Sequence, residues 1–484
     1  MSADGGIDRK NRYNSSATTC KSEERKSQAM TNAALRGKPD ARNPHVRFDE
    51  GEVAPAATPR RGSLLYKRRE FLLGSLSAAV VSSLQAGGEA DKHGETLPSA
   101  VESFAMPQKG LFAVKPHLQL LGERSAAIVW MTAKESTGFV EWSQDGGSTW
   151  TTTWTEVDGL LDAGCKLHRT VLSEFDPAKP LKFRVCSKEN PHIFSYRAEF
   201  KGDVQQLDGE IAPLLPEDGK VTFAMFNDVH EQLETYPSLL AHLKEPVNLT
   251  IFAGDIANYV DNEDDVIRNL LAPFAYVNNR THAAMWYLRG NHETRGGFSR
   301  KLRNYLALPN GCYYGAVTLG AARFVFVDTG ENKDDTYREY AGLVDFDNYL
   351  ERQMAWLKDE FASRTWKESK YRIAVMHIPP CILKKLDGGA YTPSAMRMQK
   401  LAKILAEANL SLVLSGHLHR SVNEDANMFH PYPVVGGGGP LPLSEDKRHW
   451  YGDPTITICS YDADKLVVSQ TNVRGEKLFE RHIR

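Results

Sequence analysis

The chain has few cysteines for its length. Its 484 residues include six, at Cys20, Cys165, Cys186, Cys312, Cys381 and Cys459. No two of them have the CxxC spacing and they form no dense framework, so we do not expect a zinc site built on cysteines. Cys165 and Cys186 fall in the same predicted small domain and could pair, but the sequence leaves this open.

The body of the chain has only a small excess of charge of either sign. The sequence holds 59 Lys+Arg and 61 Asp+Glu, a formal net charge of −2. Residues 1–70 carry 15 of the basic and 9 of the acidic residues, which leaves 44 basic against 52 acidic residues in the remainder. Because a mildly acidic body offers no basic surface for a polyanion, we expect no nucleic-acid partner.

Regular apolar periodicity is missing from the start of the chain. Residues 1–65 are rich in Ser, Asn, Arg and Lys, which predicts a disordered basic extension. A lysine and two arginines at 67–69 precede the charge-free apolar stretch 71–84, whose 14 residues are too few to span a bilayer comfortably. Residues 66–90 resemble a twin-arginine export signal, which implies a bacterial protein exported to the periplasm or beyond, with membrane contact only through export. The alternative is a buried or amphipathic helix with a basic start.

Five predicted strands are each followed by polar residues that can bind metals. The apolar runs that predict buried strands are 221–226, 249–253, 284–288, 373–376 and 412–414. The polar residues behind them are Asp228 and His230, Asp255, Asn291 and His292, His377, and His417 and His419. Because the carboxyl ends of strands in an α/β fold border a common crevice, we expect these side chains to converge. Each block alone has an ordinary explanation as a turn or a packed residue, but the complete ordered set favours one site.

Such a set suits the hydrolysis of a phosphoester by two metal ions. Two divalent metals about 3.5 to 4 Å apart can hold the attacking and leaving oxygens of an in-line displacement, and they lower the pKa of bound water. Ligands of His, Asp and Asn without cysteine suit manganese, iron, zinc or cobalt and do not select among them. The sequence therefore predicts two divalent or trivalent metal ions of unspecified identity and a small-molecule phosphoester substrate.

The order of the blocks, D-x-H, G-D, G-N-H-E, a single His and G-H-L-H, resembles the calcineurin-like metallophosphoesterase superfamily over about residues 220–435. The resemblance implies two ligand sets, Asp228, His230, Asp255 and His419 for one metal, and Asp255, Asn291, His377 and His417 for the other. Asp255 would bridge the two metals. His292 would face the scissile phosphate as general acid or electrostatic stabiliser.

The activity that the resemblance implies is the hydrolysis of a phosphomonoester by a hydroxide that bridges the metals. The same residues leave a phosphodiesterase open as an alternative. A catalytically silent binding protein of the same fold is a third possibility, and it is disfavoured because no ligand position is missing and His292 is present.

One position departs from the better-known relatives. Three residues after the bridging aspartate, purple acid phosphatases carry a tyrosine that ligates iron, and the Ser/Thr phosphatases carry an aspartate that orients the catalytic histidine. This chain has Asn258 there, and Tyr259 one residue later. We therefore expect no tyrosinate-to-iron colour, and a His292 that Asn258 holds without the help of a carboxylate. Asn258 is a candidate for substrate contact.

Arg295 is the second candidate for substrate contact. It lies three residues after His292, and a guanidinium can grip two phosphate oxygens at once. An ordinary surface arginine near a turn is an equally good explanation. The glycine run 436–439 does not open a helix, so we expect it to let the chain pass close to the loop 416–419 rather than to cradle a phosphate.

The strand pattern predicts two folded domains. Residues 220–484 alternate strands with helices, which is typical of an α/β domain, and the resemblance implies two packed mixed β-sheets flanked by helices, the calcineurin-like four-layer sandwich. Residues 110–205 carry short alternating strands and resemble, more loosely, the fibronectin-III-like N-terminal domain of purple acid phosphatases, a small all-β sandwich. Residues 91–109 and 206–219 are predicted linkers.

The all-β segment holds four tryptophans, Trp130, Trp142, Trp150 and Trp154. They could form a sugar-stacking surface. Because tryptophans in the strands of a small sandwich are more often core residues, we expect them to pack inside it.

Overall fold

The computed structural model describes residues 98–107, 109–380, 393–428, 430–441 and 452–483. The disordered extension and the export signal predicted within residues 1–90 lie outside the described residues. The described residues all belong to one unit, residues 85–484. None of their helices is long and apolar enough to cross a membrane.

The described residues form twenty strands and seven α-helices. The strands are β1 (Phe112–Gly122), β2 (Ser125–Ser143), β3 (Thr151–Trp154), β4 (Glu156–Val157), β5 (Leu160–Leu161), β6 (Cys165–Ser173), β7 (Leu181–Phe194), β8 (Arg197–Ile211), β9 (Val221–Phe226), β10 (Leu249–Ala253), β11 (Ala284–Leu288), β12 (Gly315–Leu319), β13 (Ala322–Val327), β14 (Tyr371–Met376), β15 (Leu412–Ser415), β16 (Val422–Glu424), β17 (Val434–Gly436), β18 (Thr455–Tyr461), β19 (Leu466–Asn472) and β20 (Lys477–Ile483). The helices are α1 (Ala100–Ala105), α2 (Thr235–Leu240), α3 (Glu263–Val266), α4 (Ala272–Thr281), α5 (Phe346–Ala362), α6 (Arg364–Glu368) and α7 (Pro393–Ala406). A π-helical turn, Ile267–Leu271, joins α3 to α4, and the 3-10 turns are His292–Thr294, Ser299–Tyr305 and Pro309–Gly311.

Two mixed sheets contain most of these strands. The first has twelve strands in the order β20-β19-β18-β9-β10-β11-β1-β2-β7-β8, with β3 and β6 paired to β2. The second has six strands in the order β12-β13-β14-β15-β17-β16. Strands β9, β10 and β11 run parallel to one another, and so do β13, β14, β15 and β17. Parallel neighbours place several carboxyl ends at one edge of each sheet.

The alternation of side chains along each strand explains why the sheets pack face to face. In β9, Phe223 and Met225 belong to the core between the two sheets, whereas Phe226 belongs to the core on the opposite face. Trp286 of β11 stacks on Phe326 of β13 with ring centroids 4.1 Å apart. Since successive side chains point to opposite faces, a strand that is apolar throughout is buried on both sides.

Helices cover the outer faces of both sheets. Val266 of α3 and Phe274 of α4 belong to the core on the outer face of the first sheet. Leu350 of α5 and Leu401 of α7 belong to the core on the outer face of the second sheet. This order of helix, sheet, sheet and helix confirms the predicted four-layer sandwich.

The segment predicted as a small all-β domain consists of strands β1 to β8. Strand β2 is irregular midway, and its first half pairs with β1 and β6 while its second half pairs with β3 and β7. Trp130 in the first half donates a hydrogen bond of 2.9 Å to Ser187 on β7, so the two halves face each other. Cys165 and Cys186 are free thiols. The division into a separate fibronectin-III-like domain stays a prediction, because β1 also pairs with β11 of the catalytic sheet.

The apolar stretch 193–200 predicts a single strand in this segment, and this prediction is wrong. Residues 193–200 are interrupted by a turn at 195 and 196, which joins β7 to β8 as a hairpin. The turn consists of serine and tyrosine and lacks the glycine or asparagine that commonly marks a hairpin. The apolar residues on both sides of it therefore predict one continuous strand. Strand β8 also continues into the predicted linker 206–219 and ends at Ile211, because it stays paired with β7 to that point.

Packing accounts for most of the tryptophans of this segment. Trp130 is buried, Trp142 packs against the same core, and the Trp150 ring lies under the Arg184 guanidinium at 3.7 Å. Trp154 is 39% exposed. The expectation that these residues pack inside is therefore confirmed for Trp130 and does not hold for Trp154.

Candidate metal centre

The seven predicted metal ligands lie at the carboxyl ends of strands from both sheets. They are Asp228 and His230 after β9, Asp255 after β10, Asn291 after β11, His377 after β14, and His417 and His419 after β15. Because the two sheets pack face to face, these strand ends meet at the edge of the core that they share. The convergence that the sequence predicts thus takes place across two sheets.

Five of these residues have a left-handed backbone conformation. Their φ angles are 55° at Asp228, 49° at His230, 53° at Asp255, 72° at His417 and 52° at His419. This conformation costs a residue with a Cβ about 1–3 kcal/mol, and it persists where the surroundings fix it, commonly at functional sites. Its concentration on the predicted ligands favours a functional origin.

The side chains form two overlapping groups. Asp228, His230, Asp255 and His419 offer donor atoms that lie within 4.8 Å of one another, and so do Asp255, His377 and His417. Asp255 belongs to both groups. The first group has the composition predicted for one metal, and the second, together with Asn291, has the composition predicted for the other.

Asp255 and His377 form a buried charge pair. Oδ2 of Asp255 lies 2.9 Å from Nε2 of His377. Burial alone would lower the pKa of His377, but Asp255 and Asp228 outweigh it and raise that pKa to about 10. Burial alone would raise the pKa of Asp255, but His377 holds it well below its usual range. In the absence of metal the pair is therefore a carboxylate and an imidazolium.

Hydrogen bonds fix which ring nitrogen of two histidines faces the centre. His230 Nδ1 lies 2.9 Å from Oδ1 of Asn258, and His377 Nδ1 lies 2.9 Å from the carbonyl oxygen of Ala253. Both acceptors favour a proton on Nδ1. Nε2 of each ring is then the atom that can ligate a metal, which is the usual arrangement of metal-binding histidines.

Two features of the centre fit a bound cation. Oδ1 of Asp228 is buried and is surrounded by three imidazole Nε2 atoms, at 3.2 Å from His419, 3.8 Å from His377 and 4.0 Å from His230. The end of the Asn291 amide that faces the centre lies 3.3 Å from Asp255 Oδ2, 3.2 Å from His377 Nε2 and 3.1 Å from His417 Nδ1. An amide oxygen in that place is repelled by the carboxylate unless a cation binds both. The residues therefore fit metal ions that take nitrogen and oxygen donors.

His292, the predicted catalytic residue, faces the centre without belonging to either group. Its Nε2 lies 3.9 Å from Asp255 Oδ2, and its side chain is 26% exposed. Its Nδ1 lies 2.8 Å from the backbone carbonyl of Asn258, which favours a proton on Nδ1. Nε2 is therefore the atom that can exchange a proton with a substrate. Burial lowers the pKa of His292; Asp255 opposes this effect and Arg295 adds to it.

The two predicted substrate-binding residues differ in where they point. The side chain of Asn258 contacts His230 and donates to Glu231 at 3.1 Å, so His292 is held by the Asn258 carbonyl and not, as expected, by its side chain. Arg295 Nη1 lies 3.0 Å from His292 Nε2. The guanidinium thus lies beside the predicted catalytic atom, and its role as a phosphate clamp stays a prediction.

Glu293 is a supporting residue that the sequence analysis did not select. It is fully buried and its carboxylate accepts hydrogen bonds from four backbone N–H groups, those of Asp255, Ile256, Ala257 and Gly290. These bonds tie the loop after β10 to the loop after β11. Its place in the G-N-H-E block, directly after His292, was a signal that could have identified it.

Asn332 is a second supporting residue, and nothing in the sequence pointed to it. It lies in the loop after β13, and its amide nitrogen is 2.9 Å from Nε2 of His417. That contact leaves Nδ1 of His417 facing Asn291, at 3.1 Å. The partners are 85 residues apart in the chain, so no local spacing could reveal the contact.

The glycine run 436–439 passes close to the centre. Gly439 has a φ of 127°, and a Cβ there would lie 3.5 Å from the carbonyl oxygen of His419. Its N–H bonds to the carbonyl of Asn227, the residue before Asp228, at 3.4 Å. The prediction that this run allows a close approach to the loop 416–419 is confirmed.

We expect Gly290→Ala to destabilise the centre. A Cβ at this position would overlap the backbone nitrogen and Oδ1 of Asp255, and overpacking of a well-packed site costs about 1–3 kcal/mol. The measurements are the melting temperature and the metal content of the purified variant. Gly297→Ala is the matched control, since a Cβ there meets its nearest atom at 3.8 Å. Equal melting temperatures of the two variants would contradict the expectation.

We expect metal binding to the metal-depleted protein to release about one proton near neutral pH, because a ligand histidine must be neutral. The proton comes from His377, whose pKa of about 10 lies above its ordinary 6.5. Burial lowers the pKa of His230 and His417 to about 4, so both are already neutral. Metal affinity should therefore rise with pH up to about 10.

The same proton stabilises the metal-free protein. Because the folded pKa of His377 is raised, its contribution to stability is complete below pH 6.5 and is lost as the pH rises through about 10.

The protons that metal binding releases are counted by calorimetric titration of Mn²⁺ in buffers with different ionisation heats. A binding heat that does not depend on the buffer would contradict the expectation.

Comparison with known proteins agrees with this geometry. Residues 221–421 match the model of the calcineurin-like phosphoesterase family. No curated protein matches the chain in sequence. Among solved structures, the chain is similar to a purple acid phosphatase from the seeds of yellow lupin, Lupinus luteus, with a TM-score of 0.51, 12% identity, and coverage of 76% of this chain and 73% of that one.

A structure of PhoD gives a TM-score of 0.48 and 14% identity, and the match covers 76% of this chain and 88% of that one. At such low identity, the likeness to the lupin enzyme shows the fold alone.

Proposed function

Residues 221–421 constitute a calcineurin-like phosphoesterase domain and make the chain a phosphoester hydrolase; from this premise we propose that it hydrolyses a phosphomonoester with two metal ions. The observation that carries the proposal is the pair of ligand groups that share Asp255. A carboxylate common to two groups can bridge two cations, and two cations can hold both oxygens of an in-line displacement.

The residues divide into ligands and groups that act on the substrate. Asp228, His230, Asp255 and His419 would hold one metal ion, and Asp255, Asn291, His377 and His417 the other. When bound, the ions supply Lewis acidity toward the phosphoryl oxygens and lower the pKa of a water.

Two further residues face the substrate. Arg295 would orient the phosphoryl oxygens, since its Nη1 lies 3.0 Å from Nε2 of His292. His292 Nε2 would deliver a proton to the leaving oxygen after taking one up in the substrate complex, because Nδ1 is committed to the carbonyl of Asn258.

Phosphodiester hydrolysis is the second candidate function, and one observation favours it. The guanidinium of Arg295 is paired with the buried carboxylate of Glu331 at 2.7 Å. A cation that is already paired attracts the second negative charge of a monoester less strongly.

Initial rates on nitrophenyl phosphate and on bis(nitrophenyl) phosphate test the proposal with the manganese-loaded full chain. Faster turnover of the monoester, lost in His292→Ala, supports a phosphatase. Faster turnover of the diester supports the second candidate. Absence of turnover on either ester, with two metal ions bound per chain, would refute both and leave a binding protein.

We also propose that the protein is exported through the twin-arginine route. This route carries folded proteins, so the metal ions can be bound before export. Fusion of residues 1–110 to a reporter tests this proposal. Export is supported if the reporter reaches the periplasm and no longer does so when the arginines at 68 and 69 are changed to lysine. A reporter that stays in the cytoplasm contradicts it.

A further inference from the structure

Glu331 lies beneath the guanidinium of Arg295, in the loop after β13. One carboxylate oxygen, Oε2, accepts hydrogen bonds from Arg295 Nε at 3.0 Å and from Nη2 at 2.7 Å. The hydroxyl of Tyr340 donates to the same oxygen at 2.7 Å. The side chain of Glu331 is fully buried, and that of Arg295 is 18% exposed. The carboxylate therefore holds the guanidinium from the protein side and leaves its other edge accessible.

The accessible edge of Arg295 points at the predicted site. Nη1 lies 3.0 Å from His292 Nε2, and Nη2 lies 2.8 Å from the outer end of the Asn291 amide. Asn291 and His292 are a predicted metal ligand and the predicted catalytic residue. A phosphoryl group that contacts both metal positions and His292 would thus meet this guanidinium.

The loop that carries Glu331 is anchored by a buried arginine of α7. Arg397 Nη2 donates to the backbone carbonyls of Glu331 at 3.3 Å and of Lys333 at 3.0 Å. Its Nη1 donates to Asp335 at 3.1 Å and to Asp347 at 2.8 Å. Since Arg397 is 6% exposed, these bonds fix the loop, and with it the position of the Glu331 carboxylate.

A buried carboxylate changes what Arg295 can recognise. A phosphomonoester carries close to two negative charges at neutral pH, because its second pKa is about 6, whereas a phosphodiester carries one. Arg295 alone would favour the dianion through its full positive charge. Paired with Glu331, it keeps its hydrogen-bond donors but contributes little net charge to the pocket.

We propose that Glu331 is a positioning residue that determines the charge specificity of the site: it orients Arg295 toward the phosphoryl group and reduces the preference for a dianionic monoester over a monoanionic diester. The inference rests on the proposed function, because it assumes that phosphoryl groups bind beside His292. It concerns which phosphoryl charge is bound, and not whether hydrolysis follows.

The test compares Glu331→Gln with the wild-type protein, as manganese-loaded full chains at pH 8. Calorimetry gives the dissociation constants for inorganic phosphate, mostly a dianion at this pH, and for dimethyl phosphate, a monoanion. We expect the variant to strengthen phosphate binding relative to dimethyl phosphate binding about tenfold compared with the wild type. A factor of ten is the size of the effect of one charge-assisted hydrogen bond. The ratio of kcat/KM for nitrophenyl phosphate and bis(nitrophenyl) phosphate should move in the same direction.

Glu360→Gln is the matched control. Glu360 of α5 pairs with Arg323 of β13 through two nitrogens, at 2.8 and 3.1 Å, and this pair lies outside the metal centre. The Glu360→Gln variant should have the same ratio of dissociation constants for the two anions as the wild type. If Glu331→Gln does not fold, Arg295→Gln replaces it, and the ratio should then shift toward the monoanion.

The outcomes separate this inference from the proposed function. An unchanged ratio in Glu331→Gln, or an equal loss of both anions in Arg295→Gln, would overturn the charge-specificity role. A wild-type protein that binds neither anion would also count against it. Binding of phosphate with the expected shift, but without turnover of either ester, would refute the proposed function alone.

Discussion

Replacement of Asp255 by alanine is expected to abolish turnover and to remove at least one of the two metal ions. Asp255 is the residue that both ligand groups share, so its loss opens both positions at once. A bound metal lowers the pKa of water from about 16 to about 7, so loss of the metal should reduce kcat by on the order of 10³ or more. The measurements are kcat and the metal content by mass spectrometry.

The variant also leaves the imidazolium of His377 without its nearest carboxylate, 2.9 Å away in the wild type. Breaking a buried pair can cost about 3–5 kcal/mol, so Asp255→Ala can unfold. Asp255→Asn keeps the shape, and its amide can still accept the hydrogen bond that His292 N–H donates to Oδ1 at 2.8 Å. Asp203→Ala, at an exposed aspartate of β8, controls for the change in net charge. Wild-type turnover with two bound metals in Asp255→Asn would sink the dinuclear proposal.

Most of the centre could be predicted because its residues stand at the ends of apolar strands. The run before Asp228 ends at Phe226 and the run before Asp255 ends at Ala253, as the structure has them. A buried parallel strand is nearly all apolar, so the first polar residues after it mark the edge of the sheet. The carboxyl ends of parallel strands lie at one edge of a packed α/β core, so the side chains that follow them meet there.

The residues that hold the centre in place could not be predicted in the same way. Glu331 is 36 residues from Arg295, and Asn332 is 85 residues from His417. Both lie in a loop, where no periodicity marks the direction of a side chain. Asn258 was selected, but only the structure shows that its side chain serves His230 and its carbonyl serves His292. Sequence identifies the residue in such a case, and the fold decides which atom acts.

The same limit applies to the all-β segment. Alternation indicates its strands, but the runs 126–131 and 138–142, which predict two strands, both belong to β2, whose halves pair with different partners. The hairpin turn at residues 195 and 196 was missed because neither residue is a strong turn former. Pairing partners are set by contacts between distant strands, which a local pattern does not contain.

Replacement of His292 by alanine is expected to lower kcat by about 10²–10⁴ while both metal ions stay bound, because a positioned proton donor contributes that much and His292 belongs to neither ligand group. Metal content separates this result from that of Asp255→Ala. His192→Ala, at an exposed histidine of β7, is the matched control and should keep wild-type activity. Loss of metal together with activity in His292→Ala would show that the residue supports the ligands instead.

The dependence of this effect on the leaving group distinguishes a general acid from an electrostatic stabiliser. A general acid matters most for a basic leaving group, so His292→Ala should lose more activity on phenyl phosphate than on nitrophenyl phosphate. Equal losses would favour the stabiliser. In the free protein Nε2 faces the Nη1 donor of Arg295 at 3.0 Å, and Arg295 helps to lower the pKa of His292, so a general acid has to take up its proton when the substrate is bound. A phosphoryl group that pairs with Arg295 cancels this effect, so substrate binding itself promotes the protonation of Nε2 that the reaction requires.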